Sequence, residues 1–261
     1  MTCTFHTALT IAGSDPSGGA GIQVDLKTFA EVGVWGMAVV TALTAQSANR
    51  VSGVWTMERH VVREQISTLL EDITPGAVKT GMLSTDEIIQ AVVQTLPDNI
   101  PLVVDPVMIS TSGHRLLEDS AIKSMKEVLL PRATVVTPNI PEAEGLAGIK
   151  ITDDASMIEA GMKIQELGAG VVVVKGGHGT GVESVDLLID SNGVTRLTSP
   201  RMPYQVHGSG CCFSAAVTGF LAQGYGVDES CRLGKEIVSK AIREAIAGTG
   251  GMRMVNPGGV Q

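Results

Sequence analysis

Four consecutive valines, Val171-Val172-Val173-Val174, run into Lys175-Gly176-Gly177. Neighbouring residues of a strand point to opposite faces, so an unbroken β-branched run needs cover on both sides. The parallel sheet of an α/β protein provides that cover. Five shorter apolar runs, at 8–12, 37–43, 77–80, 102–105 and 134–137, predict companion strands beside 171–175. Between them the apolar spacing predicts helices over 22–31, 58–71, 120–129, 156–167, 211–223 and 228–247. Ser84 and Glu87 have capping-box spacing and predict another helix start. Strands alternating with helices imply βαβ units. Asn192-Gly193, between apolar segments 185–189 and 194–197, predicts a β-hairpin. No linker divides the chain, so one domain over 1–261 is expected, with a loose tail over 251–261.

Composition narrows the function. Nineteen basic against 27 acidic residues leave a net charge of −8, too little positive charge for nucleic acid as the main ligand. Thirty-one glycines with only 3% aromatics suit tight backbone around a small ligand. Cys3, Cys211, Cys212 and Cys231 form no CxxC pair and read as reduced thiols. The first residues lack the basic and apolar regions of a signal peptide. The uncharged stretches 32–49 and 202–227 are interrupted by Gly, Gln, Ser, His or Pro. The expectation is a cytoplasmic protein without a membrane span.

Three glycine-rich loops follow predicted strands: 13–21, 175–181 and 208–211. In open parallel sheets, ligands gather where such loops lie. None has the Lys-Ser/Thr ending of a P-loop, and none fits G-x-G-x-x-G, which disfavours P-loop NTPases and nicotinamide dehydrogenases. Each could also be an ordinary turn. Gly208-Ser209-Gly210-Cys211 opens a helix of small residues, where converging N–H groups and the helix dipole suit an anion. A thiol at that place is expected to have a lowered pKa.

A set of motifs then identifies a family. Ala12-Gly13-Ser14-Asp15-Pro16-Ser17-Gly18-Gly19-Ala20-Gly21-Ile22-Gln23 and Asp25-Leu26-Lys27-Thr28-Phe29 open the series. Thr41-Ala42-Leu43-Thr44-Ala45-Gln46, Lys79-Thr80-Gly81-Met82-Leu83 and Asp105-Pro106-Val107-Met108 follow. Thr137-Pro138-Asn139-Ile140-Pro141-Glu142-Ala143, Lys175-Gly176-Gly177-His178 and His207-Gly208-Ser209-Gly210-Cys211 complete it. Together they resemble the bacterial hydroxymethylpyrimidine/phosphomethylpyrimidine kinases of thiamine biosynthesis, in the ribokinase-like superfamily. The resemblance implies a three-layer αβα sandwich with a mostly parallel central sheet. No extra strands lie between the first strand and first helix, as in relatives without a lid domain.

The resemblance also implies roles. Asn139 and Glu142 match the Asn-x-x-Glu that holds Mg²⁺ and its waters at ATP, and Asp105 matches the aspartate on the metal side. Read alone, Asn139 and Glu142 form a helix cap, and Asp105 a strand-end cap. Lys175 matches the lysine at the ATP phosphates; a structural ion pair is the alternative. Gln46 matches the ring-reading glutamine, whose amide offers both donor and acceptor to an aminopyrimidine. Gly13, Ala20, Asp25, Met82 and Val107 match positions lining that pocket, though Met82 and Val107 also read as core and Asp25 as a first-turn carboxylate. Gly208, Gly210 and Cys211 match the anion hole and a weak base, with Cys212 packing against the sheet. The implied cofactors are ATP and Mg²⁺, with a monovalent cation left open, and the implied partner is a second copy in a homodimer.

Two departures stand out. Cys212 follows Cys211 where threonine is usual, and Ser47 stands where asparagine is common. Three rivals remain: a pyridoxal kinase of the same superfamily, a thiol hydrolase using Cys211 with His207 or His178, and a silent pyrimidine-binding regulator.

Overall fold

The computed structural model describes residues 5–109, 113, 116–177 and 181–259. The main sheet contains β1 (Thr7–Ser14), β2 (Trp35–Ser47), β3 (Arg50–Thr56), β4 (Ala77–Thr80), β5 (Leu102–Val104), β6 (Val135–Val136), β7 (Val171–Lys175), β8 (Glu183–Asp190) and β9 (Gly193–Pro200). They lie in the order β3-β2-β1-β4-β5-β6-β7-β8-β9. Strands β2, β1, β4, β5, β6 and β7 are mutually parallel, while β3 and the β8–β9 hairpin extend the two edges antiparallel.

The valine run behaves as its chemistry requires. Val172 and Val174 enter one apolar cluster, and Val173 enters another on the opposite face. The first cluster is closed by α2 (Arg59–Leu70), α3 (Asp86–Thr95), α4 (Asp119–Ser124), α5 (Ile140–Ala147) and α6 (Asp154–Glu166). The other face is covered by α1 (Gly21–Glu31), α7 (Ser209–Ala222) and α8 (Val227–Arg243). The result is the expected αβα sandwich. Helix α7 explains the long uncharged stretch: nine of its residues are buried. Among the described residues, no helix is long and apolar enough to cross a membrane.

Three local expectations are corrected. Ser84 does not cap α3. It adopts φ +66° with its buried hydroxyl unpartnered, and Thr85 caps the helix by accepting from the Ile88 amide. Strand β2 runs on to Ser47 and turns back as β3, which has too few apolar residues to announce itself. The tail is not loose over its whole length. A small second sheet joins β10 (Val206–His207), β11 (Ile246–Ala247) and β12 (Arg253–Met254), and Val255 and Asn256 are buried. The Asn256 amide hydrogen-bonds the Ala241 carbonyl, and Arg253 lies 4.3 Å over the Tyr204 ring.

One polar contact sits deep between sheet and helix. Lys79 on β4 and Asp25 on α1 are both 0% exposed, with Nζ 2.7 and 2.8 Å from the two carboxylate oxygens. The Thr10 hydroxyl donates to the same carboxylate at 2.6 Å. Burial raises the Asp25 pKa, opposed by the Lys79 charge. Asp25→Ala strands the ammonium without an anion, which costs about 3–5 kcal/mol for a buried pair. Urea unfolding should show a midpoint well below wild type; an unchanged midpoint would mean the pair contributes nothing.

Candidate active site

The parallel strands end on one side of the sheet, and the loops leaving those ends enclose a cleft of about 870 Å³. Such a crevice, at the carboxyl ends of the strands, is the usual ligand position in an open α/β sheet. All three glycine-rich loops contribute, so the site brings together residues from both ends of the chain.

One end of the cleft is charged. Asp105 follows β5, and Lys175 ends β7 with its Nζ 3.0 Å from Asp105 Oδ1. The Ser214 hydroxyl donates to Asp105 Oδ2 at 3.2 Å. Burial alone would raise the Asp105 pKa, but Lys175 and Lys79 outweigh it and hold the carboxyl below its ordinary value. Asn139 and Glu142 form a complete capping box at the start of α5: each side chain accepts from the other's backbone amide, at 2.9 and 2.8 Å. The cap reading of these two residues is therefore correct. It is compatible with a ligand role, because both also line the cleft. Burial pushes Glu142 up to about 7; Lys175 opposes this and Asp105 adds to it. A hard cation bound beside Asp105 and Glu142 would meet carboxylate oxygens and favour the ionised form of Glu142. Among the described residues no cluster of three metal-ligating side chains exists. Two carboxylates nevertheless fit Mg²⁺, which takes its remaining ligands from water and phosphate.

The start of α7 forms the centre. Gly208 sits at φ +86°, and a Cβ there would collide with the Gly19 carbonyl oxygen. Only glycine lets these two loops touch. A Cβ on Gly210 would come within 3.0 Å of Lys175 Nζ, so this residue too must stay small. The first N–H groups of a helix have no carbonyl partner within it, and here they open toward the cleft. Cys211 is the third residue of α7 and opens on the cleft, while Cys212 is 0% exposed inside the second apolar cluster. The lowered thiol pKa expected for Cys211 is overturned. Burial pushes it up to about 12, against the pull of Lys79. Loss of solvent, with Asp25 and Asp105 adding to it, outweighs the pull of Lys79. A thiol hydrolase loses its thiolate by the same reasoning, and His207 turns its Nε2 to Asp15 at 2.9 Å. His178 lies outside the described residues.

At the other end, Gly13, Ala20, Gln46, Met82 and Val107 all line the cleft as expected. Gln46 sits at a register shift between β2 and β3, where an irregularity re-aims the side chain. Asp25 does not reach the cleft: it is the fully buried partner of Lys79, so its pocket role is withdrawn. Sequence reading missed the Asp15–His207 pair and the Lys235–Asp186 pair, the latter 2.8 Å apart. Both join segments far apart in the chain, and no local spacing signals them.

Comparison with known proteins gives the family and the fold. A family model described as phosphomethylpyrimidine kinase matches residues 15–256. The hydroxymethylpyrimidine/phosphomethylpyrimidine kinase of Streptomyces coelicolor is 42% identical over 252 residues, 96% of this chain and 93% of that one. The thiamine biosynthesis bifunctional protein ThiED of Geobacter sulfurreducens is 44% identical over 92% of this chain, which spans 49% of that longer protein. Among solved structures, the ADP complex of Bacillus subtilis pyridoxal kinase superposes with a TM-score of 0.90, at 39% identity and 97% coverage of both chains.

The raised thiol has a measurable consequence. A group titrating at about 12 is almost wholly protonated near neutrality, so its thiolate fraction grows about tenfold per pH unit. Iodoacetamide labelling of Cys211, followed by peptide mapping, should accelerate about tenfold per unit from pH 7 to 9 without levelling. A plateau in that range would show a thiolate-prone cysteine.

Proposed function

The chain belongs to the phosphomethylpyrimidine kinase family, and from that premise we propose that its cleft transfers the γ-phosphoryl group of ATP to 4-amino-5-hydroxymethyl-2-methylpyrimidine, and then a second to the monophosphate. The phosphotransferase class follows from the family. The observation that carries the substrate reading is that one cleft is lined by the Asp105–Lys175 pair with Glu142, by the start of α7 and by the Gln46 amide.

Phosphoryl transfer through a loose transition state depends on positioning and on charge neutralisation. At the charged end, Lys175 would meet the nucleotide phosphates. Asp105 and Glu142 would hold Mg²⁺, with Asn139 fixing Glu142 through the capping box. Mg²⁺, when bound, neutralises phosphate oxygens. The free amides at Gly208–Cys211 would cradle the moving group, as helix starts do for anions. Gln46 would read the pyrimidine edge across from it, with Gly13, Ala20, Met82 and Val107 as the walls.

Cys211 is given a role suited to a protonated thiol. It holds the substrate hydroxyl in line with the phosphorus; the new O–P bond forms as the bond from phosphorus to the ADP oxygen breaks, and the hydroxyl proton then passes to a phosphate oxygen or to water. Little prior deprotonation is needed in a loose transition state, so no strong base is required. Within the same family, a pyridoxal reading is favoured by one observation, the close superposition on a pyridoxal kinase. A cytoplasmic enzyme acting as a homodimer completes the proposal.

The assay mixes the protein with ATP, Mg²⁺ and one of the aminopyrimidine alcohol, its monophosphate or pyridoxal, and follows ADP and product. Higher kcat/KM on the aminopyrimidines is expected; preference for pyridoxal would transfer the assignment, and no turnover of any would end it. Cys211→Ala should lower kcat by about ten- to a hundredfold through lost alignment, with little change in ATP affinity. Cys212→Ala should keep kcat and lose only core stability, on the order of 1 kcal/mol. Inactivity of the Cys212 variant instead would reverse the two roles.

A further inference from the structure

The first glycine-rich loop and β10 meet at a polar knot beside Gln46. Asp15 and His207 are 3% and 4% exposed. Asp15 Oδ1 accepts from the Ser17 amide, and Oδ2 accepts from the Ser17 hydroxyl, each at 2.9 Å. His207 Nε2 lies 2.9 Å from the same Oδ2 and 3.3 Å from Gln46 Nε2. Burial alone would raise the Asp15 pKa, but the bonds from His207 and Ser17 outweigh it and keep the group ionised.

An ionised carboxylate only accepts hydrogen bonds, so the imidazole nitrogen facing it carries the hydrogen. That N–H cannot accept anything from Gln46. Gln46 Nε2, which also only donates, therefore opposes it at 3.3 Å. The amide meets it favourably only after a half-turn about the last side-chain bond brings its oxygen round to share that N–H with Asp15. The NH₂ group of Gln46 is then the part left for the cleft. A free glutamine could present either end to a ligand; this one is biased to present a donor.

We infer that His207, held by Asp15, is a positioning residue that fixes the polarity of Gln46, so that the pocket selects rings with an acceptor nitrogen at the edge it reads. This rests on the proposed reading of Gln46 as the ring-reading residue. An aminopyrimidine presents a bare ring nitrogen beside its amino group. The corresponding 4-oxo compound carries N–H at that nitrogen, so two donors would face each other. Rejection of a mismatched hydrogen-bonding edge is steep, because buried polar groups are left unpaired.

The test compares kcat/KM for 4-amino-5-hydroxymethyl-2-methylpyrimidine with that for its 4-oxo analogue. Wild type should prefer the amino compound by about a hundredfold or more. In Asp15→Asn the partner no longer demands the hydrogen on Nε2, and the preference should fall below about tenfold, chiefly through the KM of the amino compound. Gln46→Glu, which only accepts, should turn the preference toward the oxo compound, and serves if the Asp15 variant fails to fold. Nitrogen-15 NMR of the wild-type imidazole should show Nε2 protonated near neutral pH. A bare Nε2, or an unchanged amino-to-oxo ratio in both variants, overturns the inference. Failure of wild type to phosphorylate either pyrimidine would defeat the substrate reading instead, leaving the NMR to decide the polarity of the knot.

Discussion

A lysine ammonium does not enter the middle of a doubly covered parallel sheet without an anion, and this chain places two there. Lys79 is matched by Asp25 from α1, and Lys175 by Asp105 at the end of β5, two strands away. Loss of either carboxylate would leave a buried cation whose desolvation no hydrogen bond offsets. The two pairs differ in what surrounds them. Lys79–Asp25 is sealed at 0% exposure, so its charge is spent on structure and on the field felt by Cys211 and Asp105. Lys175–Asp105 faces the cleft, so its ammonium remains available to an anion.

Small residues make that arrangement possible. Gly208 lets the first and third glycine loops touch, and Gly210 keeps the α7 start open beside Lys175. With bulkier residues the helix would stand back from the strand ends, and its free amides would no longer share a space with the ion pair. The C-terminal strand β12 adds support from outside: it pairs with β10, which carries His207 directly before Gly208. The packed tail therefore backs a strand that lines the cleft without lining it itself.

The same close packing reverses the simplest electrostatic reading of Cys211. A helix N-terminus and a nearby lysine favour a thiolate, yet desolvation is the larger effect and the sulfur keeps its proton. A loose phosphoryl-transfer mechanism tolerates that outcome; nucleophilic thiol chemistry does not. The balance of burial against the nearby lysine thus favours the proposed kinase reaction over the hydrolase alternative within one geometry.

Periodicity and glycine placement determined much of this protein in advance. The valine run alone required a sheet covered on both faces, and the loops after the strands marked where a ligand would gather. Asn139 and Glu142 were legible because a capping box is a local, three-residue relation. The Ser84 cap failed on an equally local matter, since Ser84 takes a left-handed turn and Thr85 caps the helix one residue later, accepting from the Ile88 amide. The tertiary structure alone decided that Asp25 lies behind the cleft wall, that Asp15 meets His207, and that Lys235 meets Asp186. Those pairings join residues 54, 192 and 49 positions apart. A charge so far along the chain has no partner until the sheet brings the two together, and only burial then decides whether the pair supports the fold or serves a ligand.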